Sequence, residues 1–198
     1  MHRELSAHFW ASEEGTPVEP LVAESRLQIR HATADDAEQI AQVHTESWRR
    51  GYAGIFPEDY LASLDWHTRA QSWQQILSGD EPAYVLVATR SGIVVGFAGA
   101  GPSRDDDLRS TSAELYALYV GPDAWRDGVA SALLEHVLLD HPHESLMVWV
   151  LTLNHVGRGF YEHHGFRDDG ARTHITRGNA VADTMRYRLS RQPAHPPK

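Results

Sequence analysis

The chain has 198 residues and a net charge of −9, from 27 acidic and 18 basic side chains. It contains no cysteine, and its one lysine is Lys198. These counts exclude a disulfide framework, a thiolate nucleophile, a zinc finger and an iron–sulfur cluster, and they argue against a lysine Schiff base or a P-loop. An acidic chain lacks the basic face that nucleic acid requires, and it leans weakly toward a cationic small substrate. No apolar run reaches the ~18 residues of a membrane span, and the opening MHRELSAHFWASEEGTP has no apolar secretory segment. The expectation is a cytoplasmic protein with neither nucleic acid nor membrane as partner.

Residues 1–25 carry five glutamates against Arg3 alone and are broken by Gly15, Pro17 and Pro20, which reads as a flexible tail. RQPAHPPK, at 191–198, reads as a second tail. Residues 26–190 suit a single domain. Within it, RLQIRHAT predicts a strand, and Thr33 to Asp36 a helix-capping signal. Ala37, Ile40, Ala41, His44 and Trp48 then share one helical face. After Gly51, Gly54 and Pro57, residues Tyr60, Leu61 and Leu64 open a second helical stretch, which Trp66, Ala70, Trp73 and Leu77 continue to Gly79. AYVLVAT and IVVGFAGA flank Ser91-Gly92 as a hairpin, and the polar GPSRDDDLRSTS is a loop. AELYALYV predicts a strand buried on both faces. A helix from Trp125 to Leu139 follows, then the apolar strand SLMVWVLTLN, a short helix in GRGFYEHHGF, and a hairpin of ARTHIT with TMRYRLS. The order β-α-α-β-β-β-α-β-α-β-β implies an α/β (α+β) mixed sheet with helices on both faces.

Three places can carry chemistry. In the first, a strand runs through Gly121-Pro122 into a helix near Gly128, whose leading N–H groups have no intrahelical partner and form an anion site. There Gly128 and Ala130 admit a phosphate, and Ser131 adds a hydroxyl; the plain alternative is an ordinary strand–helix turn. In the second, Asn154 follows an apolar strand and Tyr161 lies two helical turns beyond it, so both face one crevice. Tyr161 is then a candidate proton donor or a packed aromatic beside Phe160. In the third, Glu114 enters a buried strand, as a general base or as a solvated strand-end charge. The thirteen histidines include no H-E-x-x-H, so no metal is expected. Asp105-Asp106-Asp107 reads as a solvated loop that could attract a cation. Gly96, Gly99 and Gly101 make room in a strand for a close neighbour or ligand.

Together, 114-ELYALYVGPDAWRDGVASALL-134 and 154-NHVGRGFYEHHGF-166 resemble the GNAT N-acetyltransferase superfamily. ESWRRGYAGIFPEDYLASL resembles the acceptor-side helices of its bacterial members. The resemblance spans roughly 27–190. One departure is Trp125, which stands where the family's pyrophosphate loop has Arg or Gln.

The resemblance implies a GNAT fold, mostly antiparallel, in which the fourth and fifth strands splay apart. It also implies direct transfer of an acetyl group from acetyl-coenzyme A to a primary amine in a ternary complex, without a metal. Leu118, Tyr119 and Val120 would bind the pantetheine, with the Val120 N–H polarising the thioester carbonyl. Trp125, Arg126, Asp127, Gly128, Val129, Ala130 and Ser131 would hold the pyrophosphate, Arg158 would add charge, and Asn154 would hydrogen-bond the cofactor arm. Tyr161 would protonate the leaving thiolate and Glu114 would act as base. Trp48, Tyr52, Tyr60 and Glu114, with the 102–112 loop, would frame the acceptor. The family often forms homodimers, and no residue here decides that. A catalytically weak coenzyme A-binding module, regulatory or for interaction, is the alternative.

Overall fold

The computed structural model describes residues 26–79, 83–108, 112–141 and 143–190; both expected tails lie outside the described residues. Seven strands form one sheet: β1 (Gln28–His31), β2 (Val85–Arg90), β3 (Ile93–Pro102), β4 (Ser112–Val120), β5 (Ser145–Leu151), β6 (Arg167–Arg177) and β7 (Ala180–Ser190). Their spatial order is β1-β2-β3-β4-β5-β7-β6. Every neighbouring pair is antiparallel except β4 with β5. The helices are α1 (Ala37–Gly51), α2 (Glu58–Ser63), α3 (Trp66–Ser78), α4 (Val129–Asp140) and α5 (His155–His163). This is the expected mixed sheet with helices on both faces.

Strand alternation sorts the core onto the two faces. Leu86, Ala88, Ala98 and Leu115 pack under Val129, Leu133, Leu134 and Val137 of α4. Val85, Val87 and Phe97 pack against Ala37, Ile40 and Ala41 of α1 and Trp73 and Leu77 of α3. A third cluster joins Trp48, Phe56, Leu61 and Leu64 to Leu151, with the half-buried Ile175 and Ala180 of the β6–β7 hairpin against it. At Gly96 an added Cβ would lie 3.0 Å from the Tyr119 carbonyl and 3.1 Å from a Val129 methyl. At Gly101 it would strike the Tyr116 hydroxyl at 2.7 Å and its ring at 2.9 Å. The close neighbours that these glycines admit are therefore other parts of this chain.

Several sequence readings are corrected. The second helical stretch is two helices, because Asp65 caps a new one: its carboxylate accepts the His67 and Thr68 N–H groups at 3.1 Å. Helix α4 begins at Val129 rather than at Trp125, because Arg126 and Gly128 adopt positive φ, 63° and 77°. β6 is longer than ARTHIT and carries an irregularity between Asp168 and Arg172. Strand β4 is buried only in its first half, and Tyr116 is 40% exposed. Its register against β3 jumps from Ala117↔Gly99 to Leu115↔Ala100, which leaves Tyr116 as a one-residue bulge.

The aspartate run has found its cation within the chain. Arg186, on β7, donates to Asp105, Asp107 and Asp169, each at 2.8 Å. The Trp149 indole N–H also reaches Asp105, at 3.1 Å. This fastens the described part of the 102–112 loop to the sheet. Arg186→Gln removes the common partner of three carboxylates and is expected to cost about 3 kcal/mol in urea unfolding; an unchanged midpoint would contradict this anchoring.

Candidate active site

Between β4 and β5 the paired residues run only from Ser112↔Ser145 to Glu114↔Met147. Beyond Glu114 the strands diverge, and the edge of β4 faces a gap. Gly121 turns its N–H to the Val95 carbonyl of β3, at 2.9 Å. By strand alternation the N–H groups of Val120 and Leu118 point the other way, into the gap. The Val120 carbonyl is held from two sides, by Ser47 Oγ of α1 at 2.9 Å and by Trp125 Nε1 at 2.6 Å. Trp125 thus spends its one polar atom on β4 while its ring stays 46% exposed.

The C-terminal end of β4 leads through the loop 121–128 into the start of α4. Gly128 occupies the N-cap in the left-handed region, where a Cβ is disfavoured, and no side chain caps the helix. The first intrahelical bond there is Ala132 N–H to the Gly128 carbonyl, at 3.0 Å. The N–H groups of Val129, Ala130 and Ser131 therefore point outward with the helix dipole behind them. Not every side chain of this loop is available. Asp127 pairs with Arg90, and the Ser131 hydroxyl meets His164 Nε2 at 3.1 Å. His164 Nδ1 faces the Phe160 carbonyl at 2.9 Å and must donate there, so in the neutral ring Nε2 accepts from Ser131. Arg126 is exposed at the loop's tip.

Across the gap, β5 ends at Leu151 and Asn154 caps α5, its side-chain oxygen accepting the Gly157 N–H at 2.9 Å. Its amino group is left to donate elsewhere. Arg158 is turned toward β7 and β5: Nε reaches the Tyr187 hydroxyl at 3.3 Å and Nη1 the Thr152 carbonyl at 3.2 Å. Tyr161 is 8% exposed, with ring contacts to Phe160 and Phe166. Burial first, and then the neighbouring Tyr119, push its phenol above the usual range. Tyr52 is pushed up by the same causes, and its hydroxyl lies 3.4 Å from that of Tyr119. Three tyrosines, Tyr52 at the C-cap of α1, Tyr119 of β4 and Tyr161 of α5, therefore converge at the wide end of the gap, and burial keeps the Tyr52 and Tyr161 phenols protonated at neutral pH.

Glu114 lies elsewhere. It is 2% exposed, at the narrow end where β4 and β5 part. Five residues of strand separate it from Tyr119, roughly 15 Å. Its carboxylate accepts the Arg104 backbone N–H and Nε, both at 3.0 Å, and a further guanidinium contact. The reading of Glu114 as a solvated strand-end charge is thus replaced by a buried ion pair, and the structure does not bring Glu114 and Tyr161 together. Trp48 and Tyr60 fall in the third core cluster, where the Trp48 ring stacks at 5.8 Å on Phe56.

The sequence reading missed His44 as a site residue. Its ring stacks on Tyr119 with centroids 4.7 Å apart, and Arg69 Nη1 lies 3.1 Å from its ring nitrogens. Burial first, then the Arg69 charge, lower its pKa from 6.5 to about 3. The spacing of His44 to Trp48 placed it on the buried face, but the contact with Arg69, 25 residues away, had no local signal. Among the described residues no group of three His, Cys, Asp or Glu is placed to hold a metal, and no helix is long and apolar enough to cross a membrane.

Residues 39–166 match the Acetyltransferase (GNAT) family. The uncharacterized N-acetyltransferase YuaI of Bacillus subtilis is 36% identical over 131 residues, 65% of this chain and 73% of that protein. A spermidine N(1)-acetyltransferase of Thermoplasma acidophilum is 27% identical over 150 residues, 71% of this chain and 88% of that one. The crystal structure of PaiA N-acetyltransferase from the same archaeon, in complex with coenzyme A, superposes with a TM-score of 0.62 at 22% identity, covering 81% of this chain and 98% of that one.

The low pKa of His44 makes stability depend on pH. The unfolded chain takes up a proton near pH 6.5 that the folded chain refuses until about 3. Stability conferred by the neutral ring is therefore full above pH 6.5 and declines on acidification below it, with a limiting slope of about 1.4 kcal/mol per pH unit. Denaturant unfolding between pH 7 and 4 should show a shallower decline in His44→Phe than in the wild type; parallel curves would contradict the assignment.

Proposed function

The chain belongs to the acetyltransferase (GNAT) family and is an acetyltransferase enzyme; on that premise we propose that it moves the acetyl group of acetyl-coenzyme A directly to a primary amine, both substrates being bound together. The observation that carries this reading is the interrupted β4–β5 ladder, whose exposed backbone meets an uncapped helix N-terminus at its wide end. Leu118 and Val120 offer the pantetheine arm a β-strand edge, and the Asn154 amino group meets that arm from the opposite side. Gly128 to Ser131 receive the pyrophosphate through backbone N–H groups, which tolerates tryptophan at position 125. Arg126, rather than Arg158, supplies a cationic side chain at that end.

The Val120 N–H donates to the thioester carbonyl and stabilises the oxyanion that forms as the amine attacks. The new C–N bond forms, the C–S bond breaks, and Tyr161 gives its proton to the departing sulfur; the second proton of the attacking nitrogen leaves as the amide forms and returns to the Tyr161 oxygen. Thiol and phenol have reference pKa values of about 8.5 and 10. The dry pocket that raises Tyr161 raises the thiol too, so the gap between them is not set by the phenol's shift alone. With no cysteine in the chain, no acetyl-cysteine intermediate forms. The amine sheds one proton before attack, and Glu114 takes it through water; its partner Arg104 has a side chain 68% exposed, so solvent reaches the edge of this ion pair. The T. acidophilum relative is named for spermidine, so a polyamine is one acceptor to assay.

Tyr161→Phe is expected to lower kcat on the order of 10²-fold with little change in KM for acetyl-coenzyme A; an unchanged kcat with chemistry limiting would remove Tyr161 from the acid role. Glu114→Gln should lose a similar factor near pH 7, with the pH–rate profile flattened. A wild-type profile in that variant would leave Glu114 as the structural partner of Arg104.

A further inference from the structure

The Trp48 ring, 7% exposed, has two guanidinium groups over it: Arg69 of α3 at 5.7 Å from the centroid, and Arg177 at the tip of the β6–β7 hairpin at 5.9 Å. Among the described residues neither has a carboxylate partner. Arg69 reaches the ring of His44, and Arg177 the carbonyl of its own neighbour Thr176. Arg69 Nε and Trp48 Nε1 are both buried without a hydrogen-bond partner. Elsewhere six arginines find carboxylates: Arg30, Arg50, Arg90, Arg104 and Arg172 pair with one each, and Arg186 gathers three, while Arg49, Arg158 and Arg167 bond carbonyl or hydroxyl oxygens. Two unmatched cations near one another repel, and burial weakens the solvation of Arg69. An arriving anion would offset both costs.

The position of this pair matters. A single imidazole, that of His44, separates Arg69 from Tyr119, and Tyr119 lies beside the Val120 N–H at the wide end of the gap. His44 is neutral at physiological pH, so it does not compete for the anion. Wherever the acetyl group meets its acceptor near Val120, the Arg69 guanidinium stands one ring further out on α3, with Arg177 of the β6–β7 hairpin on the same Trp48 ring.

We propose that the acceptor amine carries a carboxylate, which the Arg69 guanidinium binds in a two-bond fork over the Trp48 face with Arg177 as second cation. The acceptor is then an amino acid or another small amino-carboxylate, not a polyamine. The proposal rests on the acetyltransfer reading above. Guanidinium suits the task because its planar fork matches the two oxygens of a carboxylate.

The test separates binding from turnover. The complex with coenzyme A is titrated by calorimetry with N-acetyl amino acids and with the matching N-acetyl amino acid amides. In parallel, thiol release from acetyl-coenzyme A is followed with the free amino acids, their amides and spermidine. The acids are expected to bind on the order of tenfold or more tightly than the amides. Arg69→Gln should weaken acid binding on the order of 10²-fold while coenzyme A affinity holds. Arg177→Gln, at an exposed position that folding tolerates, should weaken acid binding by a smaller factor. Amides binding as well as acids, neither binding, spermidine as the preferred acceptor, or acid discrimination surviving in both variants would each overturn the proposal. Arginine-dependent acid binding without thiol release from any amine would uphold the anion site and reject the acetyltransfer reading instead.

Discussion

A parallel ladder that stops after three residue pairs is the constraint around which the molecule is arranged. Buried backbone N–H and C=O groups demand partners, and a strand that leaves its neighbour in mid-sheet strands them. On β4 the carbonyl of Val120 is satisfied within the chain, by Ser47 and Trp125, while the N–H groups of Leu118 and Val120 face the gap. The chain holds that gap open by contacts on every side. The Tyr116 bulge changes which side chains face which helix, Gly96 lets α4 settle close over β3, and Asn154 starts α5 just beyond β5. The C-terminal ends of two parallel strands, each followed by a helix, are where open sheets gather ligands.

Electrostatics at the site run against the chain as a whole. The net charge of −9 suggests a taste for cations, yet five of the acidic side chains are engaged within the chain: Asp105, Asp107 and Asp169 with Arg186, Glu114 with Arg104, and Asp127 with Arg90. The unmatched pair next to Tyr119 is positive. Net charge describes solubility and long-range encounter; acceptor choice depends on which few groups lack a partner. Histidine shows the same contrast between composition and place. Thirteen of them suggest metal, whereas His164 ties α4 to α5 and His44 is a neutral spacer between a cation and a phenol.

The sequence made legible whatever depends on period and punctuation. The strands, the α1 face and the α4 face follow from apolar spacing, and the uncapped start of α4 follows from glycine before a helix. What it hid depends on distance through space. Asp65 is a local helix-cap signal, masked in the pattern because Leu64 and Trp66 keep the apolar period going. The partners of Arg69 and Arg186 lie 25 and up to 81 residues away, beyond any window of pattern. Glu114 stands out in the sequence as a charge entering an apolar strand, but only the fold shows that its carboxylate is closed by Arg104 and set apart from Tyr161.

The central claim is that the stranded edge of β4 and the first turn of α4 form one binding surface for coenzyme A. Hydrogen–deuterium exchange at residue resolution, with and without coenzyme A, measures it directly. The account predicts strong new protection of the Leu118 and Val120 amides together with those of Val129, Ala130 and Ser131. Binding that protects other parts of the chain and leaves these five amides exchanging as before would contradict it.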